Sequence, residues 1–161
     1  MKRKRVAGWT AAILMALGTG VITFDPADAA KSSVEATIPI ATVDTGVAPR
    51  DNDLKSPRFF DATQFPTMTF KSTSVHKAGD HYDVTGNLTL HGVTKPVVLK
   101  LEELGKPQTG MDGKSVHRGF TATTTINRQD FGLSFNGTLK SGDAVLSDEV
   151  RIEIDIDAAQ I

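Results

Sequence analysis

From Asp44 to Leu101 polar and apolar residues alternate in an extended pattern. The pattern breaks once, at Arg50-Asp-Asn-Asp-Leu-Lys-Ser-Pro-Arg-Phe-Phe-Asp61, and then resumes. A period of two sends successive side chains to opposite faces of a strand, so a chain written this way must cover one face of a sheet with apolar material. Many strands with short links and no long helical pattern point to an antiparallel sandwich or barrel rather than an α/β sheet.

The alternation continues on both sides of that stretch. Val34, Ala36, Ile38 and Ile40 alternate with Glu35, Thr37 and Pro39, which predicts a strand between Ser33 and Val43. Pro39 cannot donate a ladder hydrogen bond and is expected at an edge or bulge, in a sheet lacking a neighbour on one side. Thr67–His76, His81–His91 and Pro96–Leu104 read as successive strands, linked by Lys77-Ala-Gly-Asp80 and Gly92-Val-Thr-Lys95. Val84, Leu88 and Leu90 share a face, as do Val97, Leu99 and Leu101. Farther on, Phe120, Ala122, Thr124 and Ile126 alternate with threonines, and Val150, Ile152, Ile154 and Ile156 with Arg151, Glu153, Asp155 and Asp157. This gives six strands, or seven with residues 20–25. In the interruption, Asp51 is the expected N-cap of one short helical turn near residues 51–56, limited by Pro57. Phe59 and Phe60 follow as neighbours whose side chains must find cover on different sides.

With 161 residues the chain can bury one sizeable core, and a net charge of −1 argues against a nucleic-acid partner. Cysteine is absent from the sequence, which rules out disulfides and thiolate metal sites. Localisation is therefore read from the N-terminus. Lys2-Arg-Lys-Arg5 precedes an apolar run from Val6 to Leu17, which Gly18-Thr-Gly20 cut short of the roughly 20 residues a membrane span needs. Residues 1–18 are thus a signal-peptide-like segment, with cleavage as late as Ala29 in Ala27-Asp28-Ala29. Residues 19–161 form the barrel domain, and the expected location is periplasmic or secreted. After cleavage the protein is not expected to be integral to a membrane, although transient contact with a membrane surface is compatible with the pattern.

Motifs for catalysis are missing. His76, His81, His91 and His117 show neither the spacing of metal ligands nor an adjacent carboxylate arrangement, and read as surface residues near turns and strand ends. Neither a nucleophile elbow, a phosphate loop nor a dinucleotide fingerprint occurs. Alternation puts Glu153, Asp155 and Asp157 on a solvated face. Asn87-Leu-Thr89 and Asn136-Gly-Thr138 match the glycosylation sequon, but they equally fit strand and Asn-Gly turn chemistry. Arg50, Asp51 and Asp61 could form a polar rim for a ligand head group; the favoured reading is that they cap and orient the connection around Pro57. A hydrolase or isomerase using Asp or Glu with His is a third and weakly supported class.

Four blocks in order carry a family resemblance. The first is Val43-Asp-Thr-Gly46, Arg50-Asp51, Leu54, Ser56-Pro57, Phe59-Phe-Asp61 and Phe65-Pro66 through Phe70. The others are Gly86-Asn-Leu-Thr-Leu-His-Gly-Val-Thr-Lys-Pro-Val-Val98, Phe120 through Leu133, and Asp148-Glu-Val-Arg-Ile-Glu-Ile-Asp155. In these the chain resembles the YceI-like family of polyisoprenoid-binding, lipocalin-like β-barrels. The resemblance implies an all-β antiparallel barrel that binds, sequesters or carries an isoprenoid quinone or polyprenyl chain without catalysis. It also implies a strand pair upstream for which residues 1–18 offer no counterpart, so the barrel is expected to lack its first strands. Each buried CH₂ contributes about 0.8 kcal/mol, so a few isoprene units supply on the order of 10 kcal/mol before association costs. Shape and apolar lining then suffice, and no cofactor is expected beyond bound lipid. The expected lining is Phe59, Phe60, Phe65, Met68, Phe70, Val84, Leu88, Leu90, Leu99, Leu101, Phe120, Ile126, Phe131, Ile152 and Ile154, with Phe59 and Phe60 near the mouth. The alternative is an incomplete barrel without ligand, a structural or stress-related protein that pairs its open edge with itself as a homodimer.

Overall fold

The computed structural model describes residues 16–159, so most of the signal-peptide-like segment lies outside the described residues. Seven strands form one antiparallel meander: β1 (Thr19–Thr23), β2 (Ser33–Pro39), β3 (Thr67–Ala78), β4 (His81–Leu90), β5 (Val93–Thr109), β6 (Val116–Asn127) and β7 (Glu149–Ala159). Each strand pairs with the next in chain order. The all-β antiparallel expectation holds, and so does the seventh strand at residues 19–23.

Phe24, just past β1, packs its ring against Tyr82 on β4 and Phe120 on β6, with centroids 5.5 Å and 5.6 Å away. The first strand therefore reaches across the sheet to the fourth and sixth, and the meander is a half-barrel in the lipocalin-like manner. Among the described residues β1 and β7 have one neighbour each and do not pair with one another. The core occupies the concave face, where Val84, Phe120 and Phe131 are almost wholly enclosed.

Several local expectations need correction. The helix is longer and earlier than residues 51–56: α1 spans Ala48–Lys55, its N-cap is Val47, and a proline stands in its first turn. Pro49, with its fixed φ and missing N–H, suits a first-turn position, so the helix starts before Asp51. Asp51 is consequently inside the helix rather than its cap. Pro39 stands where β2 has a neighbour on one side only, as expected of a residue without an N–H. It pairs with Thr67 on β3 at a point past Thr37, the last β2 residue paired with β1, so its missing N–H removes nothing on the β1 side. The chain then enters a 3-10 turn at Ile40–Thr42, and the strand stops short of Val43.

β5 starts directly after a two-residue turn, with His91 at φ 53° and Gly92 at φ 74°. Positive φ at both central residues is the type I′ arrangement that matches strand twist. Asn136-Gly137 is not a hairpin turn. The reversal lies farther on, where the Leu139 N–H donates to the Asp143 carbonyl and Thr138 bridges Ala144.

Candidate functional site

The meander lays the alternating apolar residues of every strand on one concave surface. Register makes this explicit: Phe70 lies opposite Leu88, Val84 opposite Leu99, Leu101 opposite Ala122, and Phe120 opposite Ile156. Of the residues expected to line a ligand site, Phe70, Val84, Leu88, Leu90, Leu99, Leu101, Phe120, Ile126 and Phe131 belong to the buried core. Phe60, Met68, Ile152 and Ile154 pack against it while remaining partly exposed. Two stand apart from that cluster. Phe59 packs at a tilt against Phe135, centroids 5.0 Å apart, beside Arg58, and Phe65 packs against His91 at 4.7 Å. The expected lining leaves out Ile22, Phe24, Val97 and Ile156, which join the same surface; the alternation that sets Val97 with Leu99 and Ile156 with Ile154 was the signal for two of them.

The two ends of this surface differ. At the α1 end, Phe60 and Phe131 cover the core and Arg128 ties the segments together. The Arg128 side chain is buried and donates to the carbonyls of Ser147 (3.0 Å) and Leu133 (2.5 Å), to Asn136 Oδ1 (2.8 Å) and to Asp148 Oδ1 (2.7 Å). Thr45 donates from its N–H and its hydroxyl to Asp51 Oδ1, at 2.8 Å and 2.6 Å; the hydroxyl bond is the main reason the Asp51 carboxyl is held below its ordinary value. Arg50 Nε and Nη2 donate to the hydroxyl and carbonyl of the same Thr45. Asp61 is buried at φ 46°, and its carbonyl accepts from the N–H groups of Gln64 and Phe65. Arg50, Asp51 and Asp61 thus organise the connection rather than a head-group rim.

At the opposite end, Arg118 and Glu103 lie on the concave face and pair at 2.6 Å, each about one-third exposed, and the guanidinium stands 5.5 Å from the centroid of the Phe24 ring. Just outside, Ser115, His117 and Asp157 line up: Ser115 Oγ is 3.1 Å from His117 Nε2, and His117 Nδ1 is 2.9 Å from Asp157 Oδ1. No local pattern announces this carboxylate, because it lies 40 residues away. The array is not that of an activated nucleophile. The Ser115 hydroxyl also donates to Asp112 Oδ1 at 2.8 Å, and the N–H groups of Lys114 and Ser115 converge on the same oxygen. Those bonds lower the Asp112 carboxyl to about 2, led by the Lys114 N–H, so the serine proton is directed at a weakly basic carboxylate rather than at His117. His91 is part-buried rather than a free surface group, with Nδ1 3.2 Å from the Phe131 carbonyl. His81 lies beside Asp80 and Asp83. Among the described residues no three His, Asp or Glu side chains converge as a metal site would require, and no helix is long and apolar enough to cross a membrane.

An antiparallel meander curled around an apolar concave face, with charged residues along its outer face and at its turns and ends, defines a lipocalin-like barrel. The chain belongs to the YceI-like family: the family's YceI-like domain model matches residues 5–158. Protein YceI of Salmonella arizonae is 41% identical over 141 residues, which cover 88% of this chain and 70% of that protein. The crystal structure of a Campylobacter jejuni YCEI protein superposes with a TM-score of 0.79 at 32% identity, covering 100% of this chain and 90% of that one. Burkholderia cenocepacia BcnA is also similar, with a TM-score of 0.75 at 26% identity over 88% of this chain and 84% of its own. At the level of the family these relationships support lipid binding, and proteins of the family are known as periplasmic.

Proposed function

We propose that the concave face binds a polyisoprenoid, an isoprenoid quinone or polyprenyl chain, and holds or carries it in the cell envelope without catalysis. The observation that carries this reading is the apolar row Ile152, Ile154 and Ile156. It faces the core from edge strand β7 yet stays partly exposed, so the inner surface is larger than the protein's own side chains cover. An alkyl chain laid there would gain about 0.8 kcal/mol per CH₂ removed from water. The residues expected to line the site are retained in this reading, with Phe59 and Phe65 as covers of the α1 end rather than lining.

Residues 1–18 are read as the export signal. Cleavage before Thr19 keeps β1 and Phe24 in the fold; cleavage after Ala29 removes both. The test is the mass of protein taken from the periplasmic fraction, natively and after denaturation. The expected result is a native excess equal to a prenyl lipid on a chain that still contains Thr19. A ligand-free protein that also leaves added quinone unbound would refute the reading. A second reading rests on the edges of β1 and β7, which are unpaired among the described residues and invite pairing between copies. A ligand-free dimer in the same measurement would favour that one.

A further inference from the structure

The partly exposed row on β7 does not end at Ile156. Along the ladder with β6, Ile152 lies opposite Thr124, Ile154 opposite Ala122, Ile156 opposite Phe120 and Ala158 opposite Arg118. An alkyl chain laid on that row therefore arrives at Arg118, about 20 Å from the level of Ile152 at the rise of a strand. Two groups fix the guanidinium there. Its Nη1 donates to Glu103 Oε1 at 2.6 Å, and it stands 5.5 Å from the centroid of the Phe24 ring. Among the described residues its remaining N–H groups have no acceptor, and the side chain is 35% exposed.

The arginine at the other end of the surface offers no such donor. Arg128 is buried and commits its N–H groups to two carbonyls, Asn136 and Asp148. Stability does not account for the Arg118–Glu103 pair either: a partly exposed pair contributes little, and apolar side chains of similar size would serve as well on an apolar face. What the pair supplies is a fixed donor at the end of an apolar track, with its charge already matched. A phosphate brought to Arg118 would meet the Glu103 carboxylate across the same guanidinium. A ring carbonyl accepts an N–H and places no second negative charge there. Lys106 and Lys114, the other lysines toward the tip of the β5–β6 hairpin, are exposed. We infer that Arg118, held by Glu103 and Phe24, is the head-group site of the concave face and selects a neutral carbonyl-bearing head, that of a prenylated quinone, over a prenyl phosphate. The inference rests on the lipid-binding reading above and gives the ligand a direction, head at the hairpin end and tail toward α1.

Three probes separate the head from the tail: a menaquinone and a monophosphate, each carrying a geranylgeranyl chain, and phytane, the saturated chain without a head. Dissociation constants for the full-length parent, Arg118→Met and Glu103→Gln are obtained by partition against phosphatidylcholine vesicles, corrected for each probe's own affinity for the bilayer. The parent is expected to hold the menaquinone at least about tenfold more tightly than the phosphate. Arg118→Met should weaken menaquinone binding about tenfold, as loss of one hydrogen bond from a charged donor does, and leave phytane binding unchanged. Glu103→Gln should strengthen phosphate binding about tenfold by removing the opposing charge, which loss of a merely structural pair would not do. A parent without preference for the menaquinone, or an Arg118→Met variant that binds it as the parent does, would overturn the head-group site while phytane binding leaves the lipid reading standing. If Arg118→Met does not fold, Glu103→Gln decides alone, and an unchanged preference overturns the site. A parent chain that binds none of the three probes would overturn both readings.

Discussion

The α1 end and the hairpin end of the half-barrel terminate the same sheet by different physics. At the α1 end a buried cation is satisfied by several partners at once: Arg128 reaches two carbonyls and two side-chain oxygens, the Asp148 carboxylate lying toward solvent, and Phe131 is almost fully enclosed. At the hairpin end the fastenings are half-wet, with Arg118–Glu103 partly exposed, Phe24 half-buried and Asp112 bonded within an exposed turn. A buried network is costly to interrupt because each orphaned group loses both its partner and its water, whereas an exposed one is relieved by solvent. The first end should therefore act as the structural anchor and the second as the end that yields.

The largest expected contrast is between the two phenylalanines. Phe131→Ala should cost about 4 kcal/mol, and Phe24→Ala about half as much, since cavity and transfer losses scale with enclosure. Urea denaturation of both variants would measure this, and equal losses would collapse the contrast. Next, Arg128→Lys should lose about 3 kcal/mol despite keeping its charge, because one ammonium cannot serve carbonyls and side-chain oxygens held in a guanidinium's fork geometry. A lysine variant as stable as the parent would mean that charge alone holds that end.

Glu103→Gln should cost under about 1 kcal/mol in low salt and less as salt rises, as for other partly exposed pairs. The denaturation midpoint as a function of ionic strength tests this. The smallest effect concerns pH. Folding depresses the Asp112 carboxyl to about 2 from an ordinary value of 3.8, so its contribution is fully present above that ordinary value and is lost as the pH falls through about 2. The amide resonances of Lys114 and Ser115 should titrate with that midpoint and should not titrate in Asp112→Asn.

Much of the α1 end is legible in the sequence as a motif without being legible as a mechanism. Arg50, Asp51 and Asp61 stand out among the polar residues, and the structure assigns them to holding Thr45 and a left-handed corner. Arg128 does not stand out, because nothing local distinguishes an arginine that caps carbonyls from one in solvent. Its partners at 133, 136, 147 and 148 come together only when the loop after β6 folds back. The helix start departs from expectation for a related reason: Asp51 is a good capping residue, but Pro49 two positions earlier sets the first turn.

Pattern along the chain was enough to define the strands and the face each apolar residue takes, because period two and short turns are local properties that act before distant segments meet. Hence Val84, Leu88, Leu99, Phe120 and Ile154 can be assigned to one surface without coordinates. The folded chain was needed to establish how that surface curls, which of the described edges stay unpaired, where β5 leaves β6, and that His117 meets Asp157. Those outcomes depend on how twist and register accumulate across seven strands and on which backbone groups find partners dozens of residues away, neither of which is written in the alternation of any one strand.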